Sequence, residues 1–189
     1  TGTNHGSIVC IKGQWYVFYH RNTNKTAYSR QACAEPIFFL PDGSIPQVEI
    51  TSTGLDACPL KENKTYPAAI CCNLTNGKMP HQGNGVIKKH VPFLSCEDGT
   101  CIVIAVKNTQ ICYKFFQFTG GKASVLLRLR ASSGGKLDIF ADQTAAGSRT
   151  LSPSTTWQEL TIPCDFPLGR HALSFAWHGS GEIHIQDFS

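Results

Sequence analysis

The chain has 189 residues, a formal net charge of +4, 41% hydrophobic residues and 16% charged ones. That length supports one large or two small domains, each with a buried core, and the balance excludes a disordered chain and a membrane-spanning one. Its basic residues are scattered rather than gathered on one stripe, which leaves no electrostatic footprint for nucleic acid.

Residues 1–55 read as four or five short antiparallel strands. Val9 and Ile11 alternate with polar neighbours, and a Gly13-Gln14 turn leads into Trp15–Tyr19. The runs Ala27–Cys33, Pro36–Leu40 and Ile45–Ile50 follow, with a Pro41-Asp42-Gly43 turn between the last two. Glu35 and Asp42 fall in this strand-and-turn context, which gives them structural surroundings. Trp15, Val17, Tyr19, Ile37 and Phe39 form an apolar side, and the outer strands carry unpaired backbone N–H and C=O groups. Such a unit needs a cover, supplied by the rest of the chain or by a second copy.

Residues 56–66 (DACPLKENKTY) are polar and rich in turn formers, and read as a connection. From 67 to 189 the pattern returns to strand. The runs are Ala68–Leu74, Cys101–Val106, Cys112–Phe118, Ala123–Arg130, Lys136–Ala141, Thr156–Ile162, His171–Trp177 and Glu182–Phe188. About eight strands, separated by Gly- and Ser-rich turns, predict a β-sandwich or jelly roll, so the whole chain is expected to be all-β. Leu127 and Leu129 alternate with Arg128 and Arg130, as in a sheet with one wet face. Leu173, Phe175 and Trp177 alternate with Ala172, Ser174 and Ala176 in the same way.

Nine cysteines occur without any CxxC pair, which argues against a zinc ribbon or a thioredoxin-like motif. Three N-glycosylation sequons begin at Asn24, Asn63 and Asn73. Together these features point to an oxidising, extracellular setting. The odd count leaves at least one thiol free or shared between chains. Cys96 and Cys101 bracket a Glu-Asp-Gly-Thr turn and are the nearest disulfide candidates. Cys71 and Cys72 are adjacent, so in a strand they would face opposite sides.

Sugar binding calls for aromatic platforms on loops or on an exposed sheet face. Trp157, Trp177, Tyr113, Phe115 and Phe116 are the aromatics to weigh. Alternation places Trp177 on the core face. One of Phe115 and Phe116 must face outward; Phe116 and Trp157 are taken as the sugar-binding candidates. His178 and His184 lack an acidic or cysteine cluster beside them. No G-x-S-x-G elbow is present, and neither Gly120-Gly121 nor Gly134-Gly135 precedes a helix.

Beyond these patterns, the residues carry a resemblance. NHGSIV, GQWYVFYHR, YSRQACAEPIFF, PDGSI and QVEITSTGL resemble the last propeller blade of family-43 glycoside hydrolases, which act on arabinose- and xylose-containing polysaccharides. YKFFQF, SVLLRLRASSGGKLDIF, TTWQELTIP and GRHALSFAWHGSGEIHIQDF resemble a family-6-type carbohydrate-binding jelly roll. More closely, they are similar to the one that follows the propeller in some family-43 enzymes, whose opening segment matches Tyr66–Leu74. The resemblance implies inverting hydrolysis by two carboxylic acids, with a third tuning the acid. In the family these come from earlier blades, and this chain opens at the last one, so no enzyme activity is expected of it. His5 matches the histidine that organises a metal or water cluster at the propeller axis. Trp157 matches a position where the jelly-roll family buries an aromatic. Asp187 falls near a family-6 structural calcium position, but the usual acidic pair is missing from Tyr66–Leu74, and no cofactor is expected.

Two readings of function follow. In the first, the chain is a non-catalytic secreted glycoprotein whose partners are copies of itself. It assembles into an extracellular fibre through Val9, Ile11, Trp15, Val17, Tyr19, Ile37 and Phe39. In the alternative, it is a carbohydrate-binding module derived from, or cut from, a family-43 arabinofuranosidase- or xylosidase-like enzyme, and its partner is a polysaccharide.

Overall fold

Side chains that alternate between wet and dry faces produce a protein made almost wholly of strands. The computed structural model describes residues 5–78, 85–87 and 90–189, and among them the helical content is a single 3₁₀ turn at Ala68–Ile70. Asn4 of the NHGS motif lies outside the described residues.

The first three strands, β1 (Ser7–Ile11), β2 (Gln14–Asn22) and β3 (Arg30–Ile37), form an antiparallel sheet in the order β1-β2-β3. Gly13, at φ 84°, closes the β1–β2 turn in a backbone region that suits glycine. The expected strand at Ile45–Ile50 does not form. Pro46 interrupts it by removing a backbone donor, and residues 38–47 run exposed, with no neighbouring strand to pair with. The sheet therefore has three strands rather than four or five.

The remaining strands make two six-stranded sheets. One runs β13 (Ser154–Phe166), β10 (Gly121–Ala131), β15 (Ile183–Phe188), β8 (Thr100–Ala105), β7 (Phe93–Glu97), with β5 (Tyr66–Pro67) also paired to β15. The other runs β12 (Thr144–Leu151), β11 (Gly135–Ala141), β14 (Gly169–Trp177), β9 (Thr109–Phe118), β4 (Leu60–Lys61), with β6 (Asn73–Thr75) also paired to β9. Leu60–Lys61, in the segment expected to be a plain connection, thus joins the second sheet as a short parallel strand against Phe116–Gln117. Between the sheets lies one core that includes Trp177, Tyr113, Phe175, Leu127, Ile139 and Ile185, all closed to solvent. The predicted alternation holds along β10, where Val125, Leu127 and Leu129 point in and Leu126 and Arg128 point out. On the central strand β14, Ala172 and Ala176 are buried as well, since neighbours on both sides cover the small side chains of its outer face.

The blade-like sheet is seated on the jelly roll by polar contacts. Arg21, near the end of β2, donates to the backbone carbonyls of Ala69 and Cys71. Asn24, in the turn after β2 with a left-handed backbone (φ 54°), docks on the edge of β7. Its backbone N–H donates to the Leu94 carbonyl at 2.7 Å, its side-chain amide donates to the Cys96 carbonyl at 2.9 Å, and its Oδ1 accepts from the Cys96 N–H at 2.7 Å. On another side, Ser52 N–H donates to the Lys114 carbonyl at 2.7 Å, and Lys114 Nζ pairs with Glu49 at 2.9 Å. Part of the cover that the blade needs is thus its own jelly roll.

A titrating contact pins one end of the sandwich. Asp142, in the β11–β12 turn, accepts from Ala172 N–H at 2.9 Å and holds His171 Nδ1 at 2.7 Å. The hydrogen bond to Asp142 raises the pKa of His171, helped by the Leu168 carbonyl.

Two outcomes are expected. Asn24→Ala strands the Cys96 amide and carbonyl and should cost about 1–3 kcal/mol in urea unfolding. For His171, a folded pKa above the unfolded value gives stability that is full below about pH 6.5 and is lost as pH rises through the folded value. Asp142→Asn should therefore lower the melting temperature more near pH 5.5 than near pH 9, measured against wild type by calorimetry.

Candidate functional site

A sugar-binding face needs an aromatic that the core has not consumed. Trp177 is 0% exposed, Tyr113 is buried, and the Trp177 indole N–H is spent on the Gly181 carbonyl at 2.9 Å. Phe116, one of the two expected sugar-binding residues, is only 4% exposed and packs on Phe118 and edge-on to Tyr66. The reason is a bulge: the β9–β14 register shifts between His171 and Leu173, so the in–out phase resets after Tyr113 and Phe116 turns inward. Phe115 is the half-buried aromatic of the pair, with the Arg170 guanidinium 3.9 Å from its ring centre.

Trp157 differs. It sits half-buried on β13, at the edge of its sheet, and the Arg130 guanidinium carbon lies 4.9 Å from its ring centre. Across the β10–β15 ladder, Arg130 pairs with His184, and its Nη2 lies 3.2 Å from His184 Nδ1. His184 Nε2 in turn lies 3.3 Å from a Glu182 carboxylate oxygen. Arg128 continues the row, opposite Glu159 on one side and Asp187 on the other. The outer face thus sets a flat indole beside alternating donors and acceptors. That is the chemistry required to stack on a sugar ring and bond its hydroxyls. The alternation of Arg128 and Arg130 was visible in the sequence. Their juxtaposition with Trp157, His184 and Glu182 needed the strand order.

A second concavity, of about 430 Å³, lies where the blade meets the jelly roll, walled by Phe18, Tyr19, Cys33, Ile50, Leu55 and Cys71. At its base Glu35, 2% exposed, accepts from Tyr19 Oη at 3.0 Å and from Thr51 N–H at 2.8 Å and Oγ1 at 2.6 Å. Burial, reinforced by Glu35, pushes the Tyr19 phenol up, and burial pushes the Cys71 thiol up to about 11. Asp42 is occupied locally, accepting from Ser44 N–H at 2.9 Å and from its hydroxyl at 2.7 Å.

The other expected site residues fall apart from these. His5 is exposed and faces His20, with ring centres 6.5 Å apart. Burial raises the pKa of Asp187, and no group of three or more His, Cys, Asp or Glu among the described residues is placed to hold a metal ion. Cys96 and Cys101 are joined in a disulfide that closes the β7–β8 hairpin. Asn63 and Asn73 are exposed, and Asn63 lies on the rim of a groove of about 680 Å³. Asn24 is a correction: its side-chain nitrogen, the atom a glycan would modify, is committed to Cys96 and Ser29. Of the expected assembly contacts, Val9, Trp15 and Phe39 are exposed, while Ile11, Val17 and Tyr19 are half-buried. Ile37, 2% exposed, points inward and offers no surface to a partner.

The class defined by this architecture is a small antiparallel blade followed by a jelly-roll sandwich. The chain is 36% identical, over all of its length, to a xylosidase/arabinosidase of Thermoclostridium stercorarium, and it spans 42% of that protein. Its fold matches a family-43 arabinoxylan arabinofuranohydrolase of Bacillus subtilis, solved in complex with cellotetraose, with a TM-score of 0.61. That match has 18% identity and covers 100% of this chain and 40% of the other. It also matches a family 6 carbohydrate-binding module of Clostridium cellulolyticum, solved with xylose, with a TM-score of 0.52 and 18% identity, over 69% of this chain and 98% of the module. No family model matches the chain. The resemblance to the C-terminal part of family-43 glycoside hydrolases, a last blade followed by a family-6-like jelly roll, is thus matched in fold, and in sequence the chain matches part of a xylosidase/arabinosidase along its whole length.

Proposed function

We propose that the chain is a non-catalytic, carbohydrate-binding part of a longer family-43-type enzyme, and that it engages xylan-type polysaccharide through the outer sheet face bearing Trp157. The observation that carries this reading is the half-buried Trp157 on β13, with Arg130 of β10 over its ring and, beyond Arg130, His184 of β15 and Glu182 in the turn before β15. The names of its relatives, a xylosidase/arabinosidase and a xylose-bound module, supply the substrate class. We also infer an extracellular setting, on the strength of the Cys96–Cys101 disulfide and the exposed sequons at Asn63 and Asn73.

Self-assembly into a fibre rests on the exposed apolar residues of the blade, including Ile8, Val9, Trp15, Phe38 and Phe39, together with the odd cysteine count and the sequons. Nothing in the comparisons supports it. In the reading proposed here, that face seats an adjoining part of the longer enzyme, whose relative is more than twice as long as the matched region.

Affinity electrophoresis in arabinoxylan and calorimetric titration with xylo-oligosaccharides test the proposal. Wild type is expected to bind, Trp157→Ala to bind at least about tenfold more weakly, a loss of about 1.4 kcal/mol, and Trp157→Phe to fall between. Absence of binding by the wild type, or binding indifferent to Trp157, overturns it.

A further inference from the structure

Away from the Trp157 face, two thiols meet where residues 49–55 cross the jelly roll. Cys72 follows the 3₁₀ turn, and Cys112 lies on β9, the strand that pairs with β6. The Cys72 backbone N–H donates to the Cys112 carbonyl at 2.8 Å, and the Cys72 thiol lies 3.3 Å from the same oxygen. Ser174 sits opposite Cys112 in the β9–β14 ladder, and the Ser52 hydroxyl accepts from the Lys114 N–H at 3.2 Å nearby. Both cysteines are half-buried, whereas the neighbouring Cys71 is fully buried and turned toward Arg21.

We propose that Cys72 and Cys112 form a second disulfide, one that ties the approach to β6 onto β9 beside the Ser52–Lys114 contact. The chemistry suits a thiol–disulfide exchange. The hydrogen bond from Cys72 lowers the pKa of the Cys112 thiol, and the same bond, with burial, holds the Cys72 proton in place. The Cys112 thiolate attacks one sulfur of a small-molecule disulfide such as glutathione disulfide, whose S–S bond breaks and releases one thiolate. Cys72 then gives its proton to solvent and attacks Cys112 Sγ, forming the protein disulfide and expelling the second thiolate. Two protein thiols are oxidised and one external disulfide is reduced to two thiols. The inference is independent of the carbohydrate reading.

The test uses the full chain, incubated with glutathione disulfide, labelled with N-ethylmaleimide, digested without reductant and read by mass spectrometry. Two of the seven free thiols are expected to lose their label, with a peptide pair joining residues 72 and 112. Cys71→Ser should keep that link. Cys72→Ser should stop at a glutathione adduct on Cys112, and Cys112→Ser should leave Cys72 without an adduct. Full labelling of both residues after prolonged oxidation overturns the proposal, as does a link from either one to Cys33 or Cys71.

Discussion

The contact of Asn24 with the edge of β7 is where two weaknesses of the chain cancel. A small three-stranded sheet buries little apolar area by itself, and an open edge strand invites pairing with other molecules. From a left-handed turn, Asn24 offers β7 a backbone donor, a side-chain donor and a side-chain acceptor, while Arg21 reaches the carbonyls of the segment that opens the jelly roll. One set of hydrogen bonds thereby covers an edge of the sandwich and anchors the blade. The contacts that seat the blade here are polar, and Val9, Trp15 and Phe39 on its apolar face remain exposed.

That arrangement dictates where function is available. Between the sheets the aromatic rings are committed to one another: Tyr113 meets Phe175 and Phe188, and Phe118 stacks on Phe166. A binding chemistry built on aromatic stacking is left with the rings on the outer faces. Phe115 has the Arg170 guanidinium 3.9 Å and the Lys114 ammonium 5.9 Å from its ring centre. Trp157 has a guanidinium, an imidazole and a carboxylate in a row beside it, drawn from β10 and β15 and the turn before β15.

Much of this was legible in the residues. Strict alternation along Ala123–Arg130, the Trp177 face and the Glu-Asp-Gly-Thr turn between Cys96 and Cys101 led to the sheets and the hairpin disulfide. What escaped did so for physical reasons. Thr144–Leu151 forms β12, but it is an edge strand of small and polar residues with little apolar pattern to read. Ile45–Ile50 has the pattern and no partner strand, so composition alone misled. Phe116 turned inward because a bulge resets the phase of β9, and a period-two count does not see a bulge. Asn24 reads as a sequon by its three-residue pattern, whereas its role depends on a neighbour 72 residues away.

Amide hydrogen exchange followed by mass spectrometry on the native chain tests the central claim, that the blade and the jelly roll open together through the Asn24 and Arg21 contacts. The account predicts that β2 and β3 amides exchange in step with those of β7 and β8, and that Asn24→Ala frees the blade to exchange first. A wild-type chain whose β2 and β3 amides exchange well ahead of the jelly roll would contradict it.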